Sequence, residues 1–173
     1  MKVLGIDPGT RACGWGVVAS HRRRLEPVAH GVIRLEGELA PRLAALWEAL
    51  VEVLEAQQPD LVAVEGLFTQ SNARSALTLG HARGVVLAAV ARAGLPVQEY
   101  APATVKRTVA GSGRADKDAV QTMVKSLLGL SGRLPPDASD ALAIAVCHLQ
   151  HTGGGLPAKA RLSVQDFRKG REG

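Results

Sequence analysis

The hydrophobic pattern of this chain changes its period once, near residue 41. Before that point three short apolar segments follow one another: residues 2–7 (KVLGID), 14–19 (GWGVVA) and 28–35 (VAHGVIRL). The breaks between them are the turn PGTRACG and the basic cluster His21–Arg24. Strand-length runs joined by short turns predict an antiparallel meander. After it, Leu43, Leu46, Trp47, Leu50 and Leu54 recur at the 3–4 spacing of an amphipathic helix over 41–57. Residues 60–65 (DLVAVE) then read as a short apolar strand, Asn72–Ala93 as a long helix ending at Gly94, and 96–100 (PVQEY) as a further strand. Helical patterns follow at about 102–109 and 116–129, separated by the loop GSGRA, and Pro135-Pro136 opens a last helix running to about His151. A three-strand meander followed by α–β alternation predicts an α/β fold: a mixed five-stranded sheet flanked by helices.

A length of 173 residues suits one domain built on one core. We expect that domain over 1–152, with a basic tail rich in Gly, Lys and Arg over 153–173. Aromatic residues are only 3% of the chain, so Ala, Val, Leu and Ile must build the core. The longest apolar runs, Val85–Ala91 and Ala141–Cys147, are far short of a membrane span. Asp7 and Pro8 interrupt the N-terminal apolar run too early for a signal peptide. Cys13 and Cys147 make neither a CxxC pair nor a disulfide framework, and read as small buried hydrophobes in a reducing compartment. The expected location is therefore cytoplasmic, with no membrane partner. The net charge of +5 and a pI near 9.7 favour an anionic partner. Arg outnumbers Lys by 15 to 6, which suits phosphate, although base composition of a genome gives the same bias.

Four carboxylates sit where acids are unusual. Asp7 ends an apolar strand before Pro-Gly, and Glu65 ends LVAV before Gly66. Asp137 and Asp140 open the last helix three residues apart, on one face and about 5–6 Å from each other. Each has a plain structural alternative. Asp7 can begin a turn, and Asp137 and Asp140 can form a capping box favoured by the helix dipole. Glu65 is harder to explain that way, because a carboxylate continuing a buried strand has few local partners. Taken together, two strand ends and a helix N-terminus can bring all four into one cleft. Such a cluster repels itself unless cations bind, and Mg²⁺ takes carboxylate and water oxygens. Two ions about 4 Å apart would activate a water and stabilise the leaving oxygen of a phosphoryl displacement.

These stretches also carry a family resemblance. The chain resembles the RuvC crossover junction endodeoxyribonucleases, which resolve Holliday junctions. The matching residues are LGIDPGTRACGWGVV at 4–18, DLVAVEGLFTQSNARSALTLGHARGV at 60–85, VQEYAPATVKRTVAGSGRADKDAVQTMV at 97–124 and PPDASDALAIAVCH at 135–148. They cover most of residues 1–150, in order. The resemblance implies an RNase H-like fold, a homodimer, and Mg²⁺- or Mn²⁺-dependent paired nicking of four-way junction DNA during recombination and repair. It implies metal-binding catalytic roles for Asp7, Glu65, Asp137 and Asp140. Some relatives carry His at the first helix position, so Asp137 is the most replaceable of the four. It also places a junction-contacting aromatic at Phe68 and DNA-contacting lysines at Lys106 and Lys117. A branch-migration complex (RuvA and RuvB) is the implied partner. The chain beyond about residue 150 matches poorly, and nothing is carried over there.

Other residues keep two readings. Phe68, beside polar TQSN, can stack on an unpaired base or tuck its loop onto the core. Lys106 and Lys117 flank GSGRA, which holds Arg114; these cations can follow phosphates, or can form a solvated face. Gly80 and Gly84 permit close helix contact, which we read as a dimer interface rather than packing on the chain's own sheet. His148 and His151 stand one helical turn apart beside Cys147, but no second ligand pair exists elsewhere to complete a zinc site. Three other functions compete with junction cutting: another RNase H-like nuclease acting on RNA–DNA hybrids, a non-catalytic junction-binding subunit, and an actin-like or sugar-kinase-type nucleotide-binding domain, whose phosphate loop GIDPGT resembles. A single domain argues against the last, because closing over a nucleotide takes two. A non-catalytic junction-binding subunit would not need an intact carboxylate set.

Overall fold

The computed structural model describes residues 1–22, 24–66 and 73–153. Among the described residues, five strands and five helices form three layers. In chain order they are β1 (Lys2–Asp7), β2 (Ala12–His21), β3 (Arg24–Arg34), α1 (Leu39–Gln57), β4 (Leu61–Glu65), α2 (Ala73–Arg92), β5 (Val97–Tyr100), α3 (Pro102–Ala110), α4 (Lys117–Leu128) and α5 (Pro136–His151). The sheet order is β3-β2-β1-β4-β5. β1, β2 and β3 pair antiparallel, whereas β4 joins β1, and β5 joins β4, in parallel. The expected mixed sheet is therefore present, with the meander on one side and the parallel strands on the other. The hairpin between β2 and β3 is longer than the apolar runs imply. Pairing reaches His21 and Arg24 on either side of a turn in which Arg22 has φ 50°. Backbone pairing at a strand end needs no apolar side chain, so hydrophobicity undercounts it.

Two cores lie on the two faces, and the strands alternate between them. Leu4, Ile6, Val62 and Val64 face α1 and α2, where they meet Leu46, Leu50, Val86 and Val90. Val3, Leu61 and Ala63 face the other way, against α3, α4 and α5. Helix α4 ends as its sequence directs. Asp116 caps α4 by accepting from the Ala119 N–H at 2.7 Å, and Gly129 closes that helix in the left-handed conformation. No helix among the described residues is long and apolar enough to cross a membrane.

The contact that fixes the architecture is that of α5 on β1 and β2. This helix is buried from Ala138 through Leu149 except at Asp140, which opens towards the cleft. It lies so close to the sheet that glycine is required beneath it. A Cβ on Gly5 would strike the Ala141 carbonyl oxygen, one on Gly14 the Asp137 carbonyl oxygen, and one on Gly16 the Leu142 side chain. Within an ordinary strand Gly→Ala is favourable by about 0.5–1 kcal/mol. Here the sign reverses, because the atoms struck at Gly5 and Gly14 are backbone and cannot rotate away. We expect Gly5→Ala to destabilise by about 1–3 kcal/mol or more, read as a lowered urea midpoint.

Candidate active site

Strand alternation sets the direction of the first two carboxylates. Gly5 faces α5, so Asp7, two residues further along β1, faces the same layer. In β4, Leu61 and Ala63 face that layer, so Glu65 does too. β1 and β4 are parallel neighbours with Ile6 opposite Val64. The two acids therefore stand side by side at the C-terminal ends of two central strands. α5 supplies the others. Gly14, the β2 partner of Asp7, is the residue whose missing Cβ admits the Asp137 backbone. That close approach brings the first turn of α5 over the end of β1.

A cleft of about 330 Å³ opens there, lined by Asp7, Glu65, Lys106, Lys117 and Asp140, with Val105, Val120 and Ile144 among its apolar walls. Asp137 acts on Asp7 through its charge, as Glu65 and Asp140 do. The capping-box alternative does not hold for α5. Its N-cap is Pro135, with no side-chain capping bond, and Pro136 begins the first turn. Asp137 and Asp140 are thus left for another task. A larger groove of about 760 Å³ lies at the opposite end of the sheet, lined by Ser20, Arg24, Leu128 and Leu149 among others; none of its lining residues is acidic. Size alone would point to the wrong place.

The electrostatics are those of a crowded anion. Burial, then the charges of Glu65, Asp140 and Asp137, push the Asp7 carboxyl up from 3.8 to about 7, against the pull of Lys117. Glu65 is raised by burial and by Asp140, with Lys117 and Lys106 opposing. Lys117 is raised above its usual value chiefly by Asp140. Its Nζ donates to Asp140 Oδ2 at 3.3 Å from a side chain that is 80% exposed. In these rotamers no three His, Cys, Asp or Glu side chains among the described residues are gathered tightly enough to enclose a metal. The donor set still fits a hard divalent cation: the acids offer only oxygen, and their mutual repulsion is what a cation would relieve. Rotation of Asp140 away from Lys117 would add one donor.

A family model described as Crossover junction endodeoxyribonuclease RuvC matches residues 3–148. The chain belongs to the RuvC family. The RuvC of Myxococcus xanthus (strain DK1622) is 54% identical over 162 residues, which span 91% of this chain and 85% of that protein. That of Sorangium cellulosum (strain So ce56) is 50% identical over 155 residues, spanning 88% and 87%. The structure of T. thermophilus RuvC in complex with Holliday junction substrate superposes with a TM-score of 0.82 at 36% identity, over 89% of this chain and 97% of that one. The sheet and its flanking helices are the RNase H-like fold of RuvC, and membership makes the chain a crossover junction endodeoxyribonuclease.

Of the other residues singled out from the sequence, Lys106 and Lys117 line the cleft. Arg114 is exposed in the turn between α3 and α4, away from the lining, where its backbone N–H donates to Ser112 Oγ at 3.2 Å. Phe68 lies outside the described residues. His148 is held by Tyr100, whose hydroxyl is 2.9 Å from Nδ1, and His151 Nδ1 lies 3.2 Å from the Cys147 carbonyl oxygen. Two features escaped the sequence reading. The glycines at 5, 14 and 16 carried a signal in their alternation along β1 and β2. Arg83, buried beside Glu65, had no sequence signal.

The raised Asp7 gives a pH dependence with a definite sign. Its pKa is about 7 when folded against 3.8 as the ordinary value, so the unfolded chain releases this proton first. Without metal, the stability associated with Asp7 is fully present below about pH 4 and is lost as pH rises to about 7. Asp7→Asn should remove most of that slope and raise the metal-free melting temperature at pH 8.

Proposed function

We propose that Asp7, Glu65, Asp137 and Asp140 are the catalytic carboxylates, and that they hold divalent metal, Mg²⁺ or Mn²⁺, as two ions. With them this chain resolves Holliday junctions by paired, symmetric nicks during recombination and repair. The observation carrying the reading is the convergence of carboxylates from β1, β4 and α5 on one cleft flanked by Lys106 and Lys117. The T. thermophilus relative bound to a Holliday junction substrate supports the choice of DNA.

The bound metal would supply a water acidic enough to attack phosphorus and a charge to stabilise the departing oxygen. Everything else falls to the chain. Oxygen from water joins phosphorus, one P–O bond of the backbone breaks, and the departing oxygen takes up a proton. With metal bound, Asp7 would serve as an oxygen donor, since the cation relieves the like-charge repulsion that raises its proton affinity in the metal-free protein. Lys106 and Lys117 draw the phosphate backbone to the cleft mouth. In this reading Lys117 exchanges Asp140 for phosphate as DNA enters. We place Arg114 further along the DNA path and Phe68 at the junction centre, stacked on an unpaired base.

Paired cuts call for two sites related by a two-fold axis, and α2 offers a surface for that homodimer. Leu77, His81, Gly84 and Ala88 are exposed along one stripe, Leu77 at 64%. A Cβ on Gly80 or Gly84 would meet nothing within 4 Å, so the chain's own packing does not demand glycine there. The catalytic unit is then residues 1–152, with 153–173 a basic tail. The branch-migration complex (RuvA and RuvB) is the proposed partner, and the cytoplasm the proposed location.

Asp140→Asn should still bind a four-way junction while its cleavage in Mg²⁺ falls about a hundredfold or more, the rate equivalent of several kcal/mol. Full cleavage by that variant would end the assignment. Running an RNA–DNA hybrid beside the junction tests the substrate, and preferential cutting of the hybrid would overturn the resolvase reading. Leu77→Asp should shift the protein from dimer to monomer in sedimentation and uncouple the two nicks.

A further inference from the structure

Arg83 is a buried cation with no part in the chemistry above. It lies on α2, a helix carrying none of the four carboxylates, and its side chain is 9% exposed. A guanidinium so placed needs full partnering. Its fork meets two groups: Nη1 donates to the Glu65 main-chain carbonyl at 2.6 Å, and Nη2 pairs with Glu99 Oε1 at 2.5 Å. One partner is thus the backbone of a cleft carboxylate and the other lies on neighbouring β5. With Asp7, Pro8, Glu65 and Gly66, Arg83 also lines a small hollow of about 50 Å³.

The strand end explains why such a tie is needed. Pairing of β4 with β5 continues to Glu65 opposite Tyr100, and the Gly66 N–H donates to the Tyr100 carbonyl at 2.8 Å. Pairing of β4 with β1 stops one residue earlier, at Val64 opposite Ile6. Glu65 is therefore held on one side by the sheet and has lost the ladder on the other. We propose that Arg83 is a positioning residue, whose fork fixes the unpaired side of the β4 terminus and so holds the Glu65 carboxylate towards Asp7 and Asp140. The inference rests on the reading of Glu65 as a metal carboxylate. Arg83 acts by geometry, because Glu99 answers its charge. Lysine cannot replace it, since one ammonium does not reproduce a planar fork spanning a carbonyl and a carboxylate.

The test uses the full chain with Arg83→Lys and Arg83→Gln, titrated with Mn²⁺ by calorimetry. Four-way junction binding is measured in EDTA, and amide exchange is followed at Gly66. Both variants should bind Mn²⁺ about tenfold more weakly, the usual cost of losing a group that orients a ligand. They should retain metal-free junction binding and exchange the Gly66 amide faster. Wild-type Mn²⁺ affinity or unchanged Gly66 exchange in Arg83→Lys overturns the proposal. So does a loss of junction binding and melting temperature in step with metal affinity, which marks a general structural role. Should the unmutated protein take up no Mn²⁺, the carboxylate reading fails, and Gly66 exchange alone decides whether Arg83 fixes the strand end.

Discussion

Everything at the cleft depends on one close approach, the backbone of α5 against the backbones of β1 and β2. Gly5, Gly14 and Gly16 make it possible, since a side chain at any of the three would occupy space held by the helix. The helix answers with small residues of its own: Ala138, Ala141 and Ala145 are all fully buried. Interiors packed at this density do not deform smoothly, so the helix has one seat and its first turn one location. That location is above the end of β1, and it turns two acids that would otherwise be surface charges into neighbours of Asp7.

The arrangement is locally unfavourable and stays so by construction. Burial and like charges act in the same direction on Asp7 and Glu65, and Lys117 offsets them only in part. A rigid backbone keeps the acids from moving apart, and the remaining relief is a proton, a lysine or a metal. Stability and function pull against each other at these positions. In the proposed reading, replacing an acid by its amide would ease the fold and remove the chemistry. Arg83 belongs to the same logic from the other side of the sheet, as a well-partnered charge that stiffens a strand end.

Much of the fold was legible because the periods of hydrophobicity differ so clearly before and after residue 41. The strands carrying Asp7 and Glu65 announced themselves as apolar runs ending in an acid. The last helix announced itself by Pro135-Pro136 and the long apolar stretch behind them. Less legible was the ladder from His21 and Arg24, where polar side chains hide backbone pairing. The capping box failed as a reading because α5 begins at Pro136, ahead of both acids. The seat of α5 was written in Gly5, Gly14 and Gly16, but a glycine in a strand reads first as weakness. Arg83 could not be read at all, since one of its partners is a main-chain oxygen and neither is near it in sequence.

The seating of α5 also bears on when the protein becomes an enzyme. The helix is the last described element in the chain, yet it covers the first strand, so the contact joining them spans nearly the whole sequence. Contacts of that kind form late, after the entropy of closing a long loop has been met. A ribosome delivers β1, β2 and β4 well before it delivers Asp137 and Asp140. Until then Asp7 and Glu65 end their strands without the helix acids, and the glycine-lined face lies uncovered. A chain released early would carry most of the sheet and half of the acidic cluster. Assembly of the cleft therefore waits on the seating of α5, whatever part of the sheet has formed before it.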